Sequence, residues 1–378
     1  MKRQTLIAAA IATLVTGCAS WFEGSSANQP TPLERVDARR ALNVRWQQGV
    51  ESAGQGLFRP AFLDGKLAVA GNGDTIEVYD AASGKRLESI RLKGESLVAG
   101  VGADARGYYA GNAAGEVLAV DAAGKVRWRQ RLTSLMAEPP LTGGGMVVVR
   151  SSDGRITAYA AEDGRSLWTQ WQAPPSLMVQ PTTPVMLAVG DDVLISGEAG
   201  GKLAVYNLKS GVPLWQATVA TPRGASELER VTDVVSQPQF DGRRVCAVAY
   251  QGRVACFDAR GGNLIWAREV GSSRGLALDG NKVFVTADDG AVWAFDAETG
   301  RNLWKNDALK YRGVTGPVRL GKDILVLDAE GYAHLLAPED GRIVGRARTG
   351  AEGTLSQPLV LGDAAFVQGR NGKLSALN

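Results

Sequence analysis

Asp289-Gly290-Ala291-Val292-Trp293-Ala294-Phe295-Asp296-Ala297-Glu298-Thr299-Gly300-Arg301-Asn302-Leu303-Trp304 is the clearest copy of a repeated unit, and it decides the fold. Gly290 opens a tight turn, an alternating strand follows and ends at Asp296, Gly300 opens a second turn, and the next strand carries Trp304. Glycine supplies φ > 0 in such turns, while an Asp or Asn accepts nearby backbone N–H groups.

The same order recurs along the chain. Asn112 to Trp128 carries Gly115, Asp121 and Gly124; Asp153 to Trp168 carries Gly154 and Gly164. Gly200 to Trp215 carries Gly201, Asn207 and Gly211; Gln251 to Trp266 carries Gly252, Asp258 and Gly262. Weaker copies run from Gly73 to Leu87 and from Glu330 to Gly345, and a truncated one runs from Gly372 to Asn378. Eight copies at a spacing of about 40 residues each leave room for four short strands. One such unit cannot bury both faces, whereas eight stacked radially do so and leave only short edges. The last copy stops before its Trp-bearing strand, and Ala41 to Trp46 is a spare alternating strand that carries one. The reading is an all-β, eight-bladed β-propeller of four-stranded antiparallel blades, closed by an N-terminal strand pairing with the C-terminal blade.

The N-terminus reads as a processing signal. Lys2 and Arg3 precede an apolar run, Leu6 to Val15, too short for a permanent membrane span. Val15-Thr16-Gly17-Cys18 then offers small residues before a cysteine, the arrangement a lipoprotein peptidase needs. Residues 1–17 are therefore expected to be a signal peptide, with Cys18 the lipidated residue. No aspartate follows Cys18, which favours the outer membrane. Residues 18–40, rich in Ser, Asn, Pro and charge, are expected to be a flexible tether, and 41–378 the propeller.

Composition excludes several functions. The precursor carries a formal charge of +3, with nothing like the basic footprint of a nucleic-acid binder. The clustered Cys and His of a zinc site are absent, and the one histidine, His334, sits at an alternating strand position and reads as structural. The repeat glycines are turn residues, because no helix follows them to cradle a phosphate. Cys246 and Cys256 fall in one hairpin; two buried thiols acting as small hydrophobes is the favoured state, since directly opposed cysteines strain a disulfide.

Spacing points to a contact surface. First-turn glycines lie 39 residues apart from Gly115 to Gly154 and 38 from Gly252 to Gly290. The intervals from Gly154 to Gly201 and from Gly201 to Gly252 are 47 and 51. The excess follows Trp168 and Trp215, in two connections that antiparallel order places on one face. The first, 170–181, holds Trp171, Leu177, Met178 and Val179; the second, 221–235, holds Arg223, Glu227, Glu229, Arg230 and Asp233. Apolar loop residues with a charged rim suggest a partner surface. The plainer alternative is that Leu177 and Val179 tuck into their blade.

Ala294-x-Asp296-x-x-Thr299-Gly300-x-x-x-Trp304 resembles the tryptophan-docking repeat of quinoprotein propellers. Within that superfamily the chain resembles the BamB family, propeller lipoproteins of the outer-membrane β-barrel assembly (BAM) machinery. The more specific matches are Pro175-Ser176-Leu177 before Thr182-Thr183-Pro184, and Ser226 to Val234. The resemblance implies a non-catalytic scaffold without cofactor or metal, a monomer within a hetero-complex, bound to the β-barrel component BamA. It implies contact residues at Leu177, Val179, Gln180 and Asp233; Glu227 and Arg230 join them from the charged rim. Unfolded outer-membrane protein strands could add to a blade edge. Two positions depart from the family: Gln180 stands where Arg is common, and Val235 where a second acidic residue is common. Both changes favour a more apolar contact. The competing readings are a periplasmic quinone-dependent oxidoreductase, which usually carries long insertions and adjacent cysteines that are missing here, and a scaffold for another envelope complex.

Overall fold

The structure is a computed structural model, and it describes residues 29–37, 39–54, 56–181, 183–354 and 356–378. Cys18 and the signal segment lie outside the described residues.

Thirty-two strands, numbered β1 to β32 along the chain, form eight separate four-stranded sheets among the described residues. Seven sheets are simple antiparallel meanders of consecutive strands. Blade 1, for example, runs Ala61–Leu63, Lys66–Ala70, Thr75–Asp80 and Arg86–Arg91. The eighth joins the two ends of the chain: β1 (Val44–Gly49) pairs antiparallel with β32 (Lys373–Leu377), after Leu359–Leu361 and Ala364–Gln368. The closing strand thus starts three residues later than its sequence pattern suggests, and it supplies Trp46 to the truncated last copy.

Every blade carries the same irregularity. Between the third and fourth strands the register slips once, as between Ala294 and Phe295 or between Ala158 and Tyr159. A bulge raises the local twist and re-aims the residue after it. In the six blades with a tryptophan at that place, it turns the ring off its own sheet and onto the next blade. Trp304 Nε1 donates to Pro338 O at 3.0 Å, Trp266 to Ala297 O at 2.8 Å, and Trp128 to Ala161 O at 3.1 Å. Trp46 does the same across the closure, to Ala81 O at 3.1 Å.

The receiving turn is built from the Asp-x-x-Thr-Gly of the repeat. Asp296 Oδ1 accepts from Thr299 N and Thr299 Oγ1, both at 2.8 Å, and Gly300 takes φ +66°. A Cβ on Gly300 would lie 2.5 Å from the Trp266 ring, so the turn needs glycine for shape and for contact alike.

Apolar burial is organised by seam. Each of the eight core clusters joins two neighbouring blades; the last joins Leu67 and Tyr79 of blade 1 to Phe366 and Ala376 of blade 8. The eight-bladed, strand-closed propeller expected from the repeats is the fold observed.

Two local expectations are corrected. Cys246 and Cys256 are directly opposed, fully buried and disulfide-bonded. Their Cα atoms are 4.1 Å apart, in the close class of antiparallel pair whose side chains approach nearest. Residues 31–37 and 39–40, read as part of a flexible tether, instead lie against blades 6 and 7. Thr31 N donates to Lys310 O, Arg312 and Arg346 hold the carbonyls of Thr31 and Glu34, and Arg40 pairs with Asp323.

Candidate functional site

In a meander the connection from an outer strand to the next inner strand leaves every blade on the same face. Both enlarged connections therefore share that face, between Ser166–Trp171 and Met186–Val189, and between Pro213–Thr218 and Gln239–Phe240. Trp171 is the last residue of its strand; its indole donates to Asp153 O at 3.1 Å and carries the Arg155 guanidinium 4.9 Å from the ring.

Asp233 brings the two loops together. Its side chain is buried, one carboxylate oxygen accepts Val179 N and the other accepts Gly200 N, both at 2.8 Å, and its carbonyl accepts Tyr250 N at 2.8 Å. The expected contact role for Asp233 needs qualification: its carboxylate is already committed to the backbone, so it positions the surface instead of presenting a charge on it. Val235 is buried as well.

The groups that do face solvent are otherwise. Leu177 is 41% exposed, Gln180 is exposed and Val179 is half-buried. Both Glu227 and Arg230 are exposed at the tip of the second loop. That tip is rigidified by a Ser226-x-x-Glu229 box: Glu229 Oε2 accepts Ala225 N at 2.7 Å and Ser226 N at 3.1 Å, and Ser226 Oγ accepts Glu229 N at 3.3 Å. These backbone donors hold the Glu229 carboxyl below its ordinary range. Arg230 Nε is tied to Gly224 O at 3.0 Å, which aims the rest of the guanidinium outward. Leu228, between these charged residues, is 71% exposed and was not singled out from sequence. Its only sequence signal is an apolar residue inside a charged run.

Beneath the first loop lies a small cleft of about 70 Å³, walled by Pro174, Met178, Val179, Val185 and Val234. A buried charged network supports it. Glu138 Oε2 accepts Val185 N at 2.8 Å and Met186 N at 3.3 Å, where the loop re-enters the blade. Arg150 beside it bonds Glu198 Oε2 at 3.1 Å, Ser196 Oγ at 2.8 Å and Gly197 O at 3.0 Å. Burial raises the Glu138 carboxyl to about 7, against the pull of Arg150 and the two backbone donors. Sequence reasoning missed this network, because a lone Glu before Pro139-Pro140 signals nothing. The loop also reaches the axis of the disc: Gln180 and Pro181 line a mouth of about 210 Å³ opposite Gly353 and Arg370 of blade 8.

His334 is buried in blade 7. Its Nδ1 accepts Arg346 Nε at 3.1 Å, so the ring proton sits on Nε2, 3.2 Å from Asp328 Oδ2. Burial lowers its pKa and keeps it neutral. Both nitrogens are used in holding the fold.

Comparison with known proteins places this geometry. A family model described as outer membrane protein assembly factor BamB matches residues 73–306. The protein of that name from Bordetella pertussis is 38% identical over 362 residues, which is 95% of this chain and 93% of that one. The one from Burkholderia pseudomallei is 33% identical, over 98% of this chain and 97% of its own. Among solved structures, BamB from Moraxella catarrhalis superposes with a TM-score of 0.80 at 27% identity, covering 89% of this chain and all of that one. A quinohemoprotein alcohol dehydrogenase from Comamonas testosteroni, at 14% identity and TM-score 0.68, shares the fold alone.

Proposed function

The chain belongs to the family of outer membrane protein assembly factor BamB, and on that premise we propose that it is a non-catalytic scaffold of outer-membrane β-barrel assembly. It docks on BamA, the β-barrel component, and assists folding and insertion of barrel proteins. Acylation of Cys18 holds it on the periplasmic side of the outer membrane; each buried methylene contributes about 0.8 kcal/mol, and two or more chains suffice for stable anchoring.

The observation that carries the reading is the composite surface made when Asp233 ties the two long loops together. Leu177 and Leu228 offer apolar contact, Glu227 and Arg230 a charged rim, and the cleft under Val179 a recess for a partner side chain. An interface of this kind takes its strength from a few apolar anchors at the centre and its orientation from charges at the rim. Gln180 adds hydrogen-bonding capacity without a charge.

The test is co-purification of BamA from envelope membranes with Leu177→Glu and Arg230→Glu proteins. Both side chains are on the surface, so each variant keeps its thermal midpoint. Leu177→Glu is expected to lose most of the bound BamA, and Arg230→Glu to retain less than wild type. Full retention in both removes the loop face as the docking surface.

A further inference from the structure

Register defines one indole slot per seam. Opposite Ala119, Ala158, Val205, Cys256, Ala294 and Ala376 of the third strands stand Trp128, Trp168, Trp215, Trp266, Trp304 and Trp46. Two slots differ: Gly345 stands opposite Leu335 in blade 7, and Glu88 stands opposite Val78 in blade 1.

The chain itself shows what replaces an indole at the blade 7 slot. A Cβ on Gly345 would lie 2.8 Å from the Arg40 carbonyl oxygen. Arg39 N and Arg40 N donate to Val344 O at 2.9 and 3.0 Å, along the outer strand β29 (Ile343–Arg348). Leu42 completes the filling and is buried against the cluster of that seam. An extended segment laid on the outer edge has taken the place of the ring.

At blade 1 no ring covers the turn of the next blade; a Cβ on Gly124 would instead meet Ile90 Cγ2 at 3.2 Å, two residues beyond Glu88 in the same strand. A cavity of about 280 Å³ lies there between Ala68, Val78 and Glu88 of blade 1 and Ala103, Gly107 and Tyr108 of blade 2. The wall is cut back as well: the place of Ala68 is held by Tyr109 in blade 2 and Phe284 in blade 6. Glu88 bridges the rim of this cavity: its Oε1 lies 3.2 Å from Lys66 Nζ and its Oε2 accepts Tyr108 Oη at 3.5 Å across the seam. Leu87, the residue before the slot, is 43% exposed, as Leu214 and Ile265 are before ring-filled slots (54% and 41%), whereas Val344 under the covering segment is 9% exposed.

The edge beside the slot is basic. Lys85, Arg86, Arg91 and Lys93 are all exposed along and just beyond β5 (Arg86–Arg91). Glu77 and Asp74 neutralise the two arginines, but neither lysine has a carboxylate within ion-pair distance among the described residues.

We propose that the seam between blades 1 and 2 is a binding slot for an aromatic side chain carried on an extended acidic segment of another polypeptide, laid along the outer edge of blade 1 as residues 39–42 are laid along blade 7. The ring takes the place that an indole holds at six other seams. Acidic flanks of the segment meet Lys85 and Lys93. The cavity opens between the first turns of blades 1 and 2, around Asp64 and Arg106, and does not involve the loop face.

The test is fluorescence anisotropy with a dye-labelled peptide Glu-Ser-Thr-Trp-Thr-Ser-Glu and its Trp-to-Ala control. Wild type is expected to bind the Trp peptide saturably, and the control roughly tenfold or more weakly. Glu88→Trp fills the slot from blade 1 and abolishes peptide binding with a thermal midpoint equal to or above wild type. Ala68→Phe fills it from the wall and serves if the first variant misfolds. Leu177→Glu leaves peptide binding unchanged, which separates this site from the loop face. No saturable binding by wild type, or equal affinity in a folded slot-filled variant, overturns the proposal.

Discussion

Two carboxylates near the loop face, Asp233 and Glu138, do their work on backbone N–H groups, and both make predictions at the scale of one side chain. Asp233→Ala leaves the Val179 and Gly200 N–H groups without their acceptor, at a cost of about 1–3 kcal/mol for each donor that water cannot reach. Hydrogen exchange at Val179 should accelerate while the blade amides keep their protection; unchanged exchange there would show that Asp233 does not hold the loop. Glu138 predicts a pH dependence. Its folded carboxyl titrates near 7, above its ordinary value of 4.5, so the folded state keeps a proton that the unfolded state loses between those values. Stability therefore falls as pH rises through that window, by on the order of 3 kcal/mol when complete. Glu138→Gln removes this dependence. The variant should gain stability over wild type at pH 8 relative to pH 5, measured by denaturant unfolding, and an equal difference at both pH values would count against the assignment.

At the scale of one element, the unit of stability is the contact between a tryptophan and the glycine turn of the next blade. The bulge before Trp266 aims its ring at Gly300, and the ring's N–H is satisfied by Ala297 O. Gly300→Ala meets two penalties, a Cβ 2.5 Å from the ring and a left-handed backbone at φ +66°. The expected loss exceeds the roughly 1 kcal/mol of an unstrained Gly–Ala exchange. The same substitution at Gly362, where a Cβ would meet nothing within 4 Å at φ +59°, isolates the backbone part. Denaturation midpoints of the two variants check this: Gly300→Ala must fall further, and equal losses would mean that the ring contact adds nothing.

The whole molecule is a ring held by one strand from the far end of the chain. Trp46 reaches Ala81 O in blade 1 and packs 5.9 Å from Phe366 in blade 8, so it spans the closing seam. Trp46→Ala should cost about 3–5 kcal/mol, as for other large core rings, and should speed proteolysis at the seam between blades 8 and 1. A cut pattern no different from wild type would mean that closure does not depend on this indole.

Much of this is legible in the sequence. Tight turns, alternation and the tryptophan recur at fixed spacing, and such local periodic signals specify blade number, strand order and closure, because a split repeat has no use except to close a ring. Loop lengths were equally legible, and with antiparallel order they placed both long connections on one face. What the sequence could not carry is which side chains in those loops face outward. Asp233 reads as a surface charge until its two backbone partners, 54 and 33 residues away in the chain, are brought to it. The opposed cysteines were legible as a pair, but their bonding turned on a Cα separation that only the packed blade sets. The docking of residues 31–37 and 39–40 and the cavity beside Glu88 also waited on tertiary structure. Sequence alone determined the closed eight-bladed ring, since repetition states the same local rule eight times. Only the fold decided what lies buried, what is exposed and which seam keeps a cavity, because those depend on contacts between distant residues that no local pattern encodes.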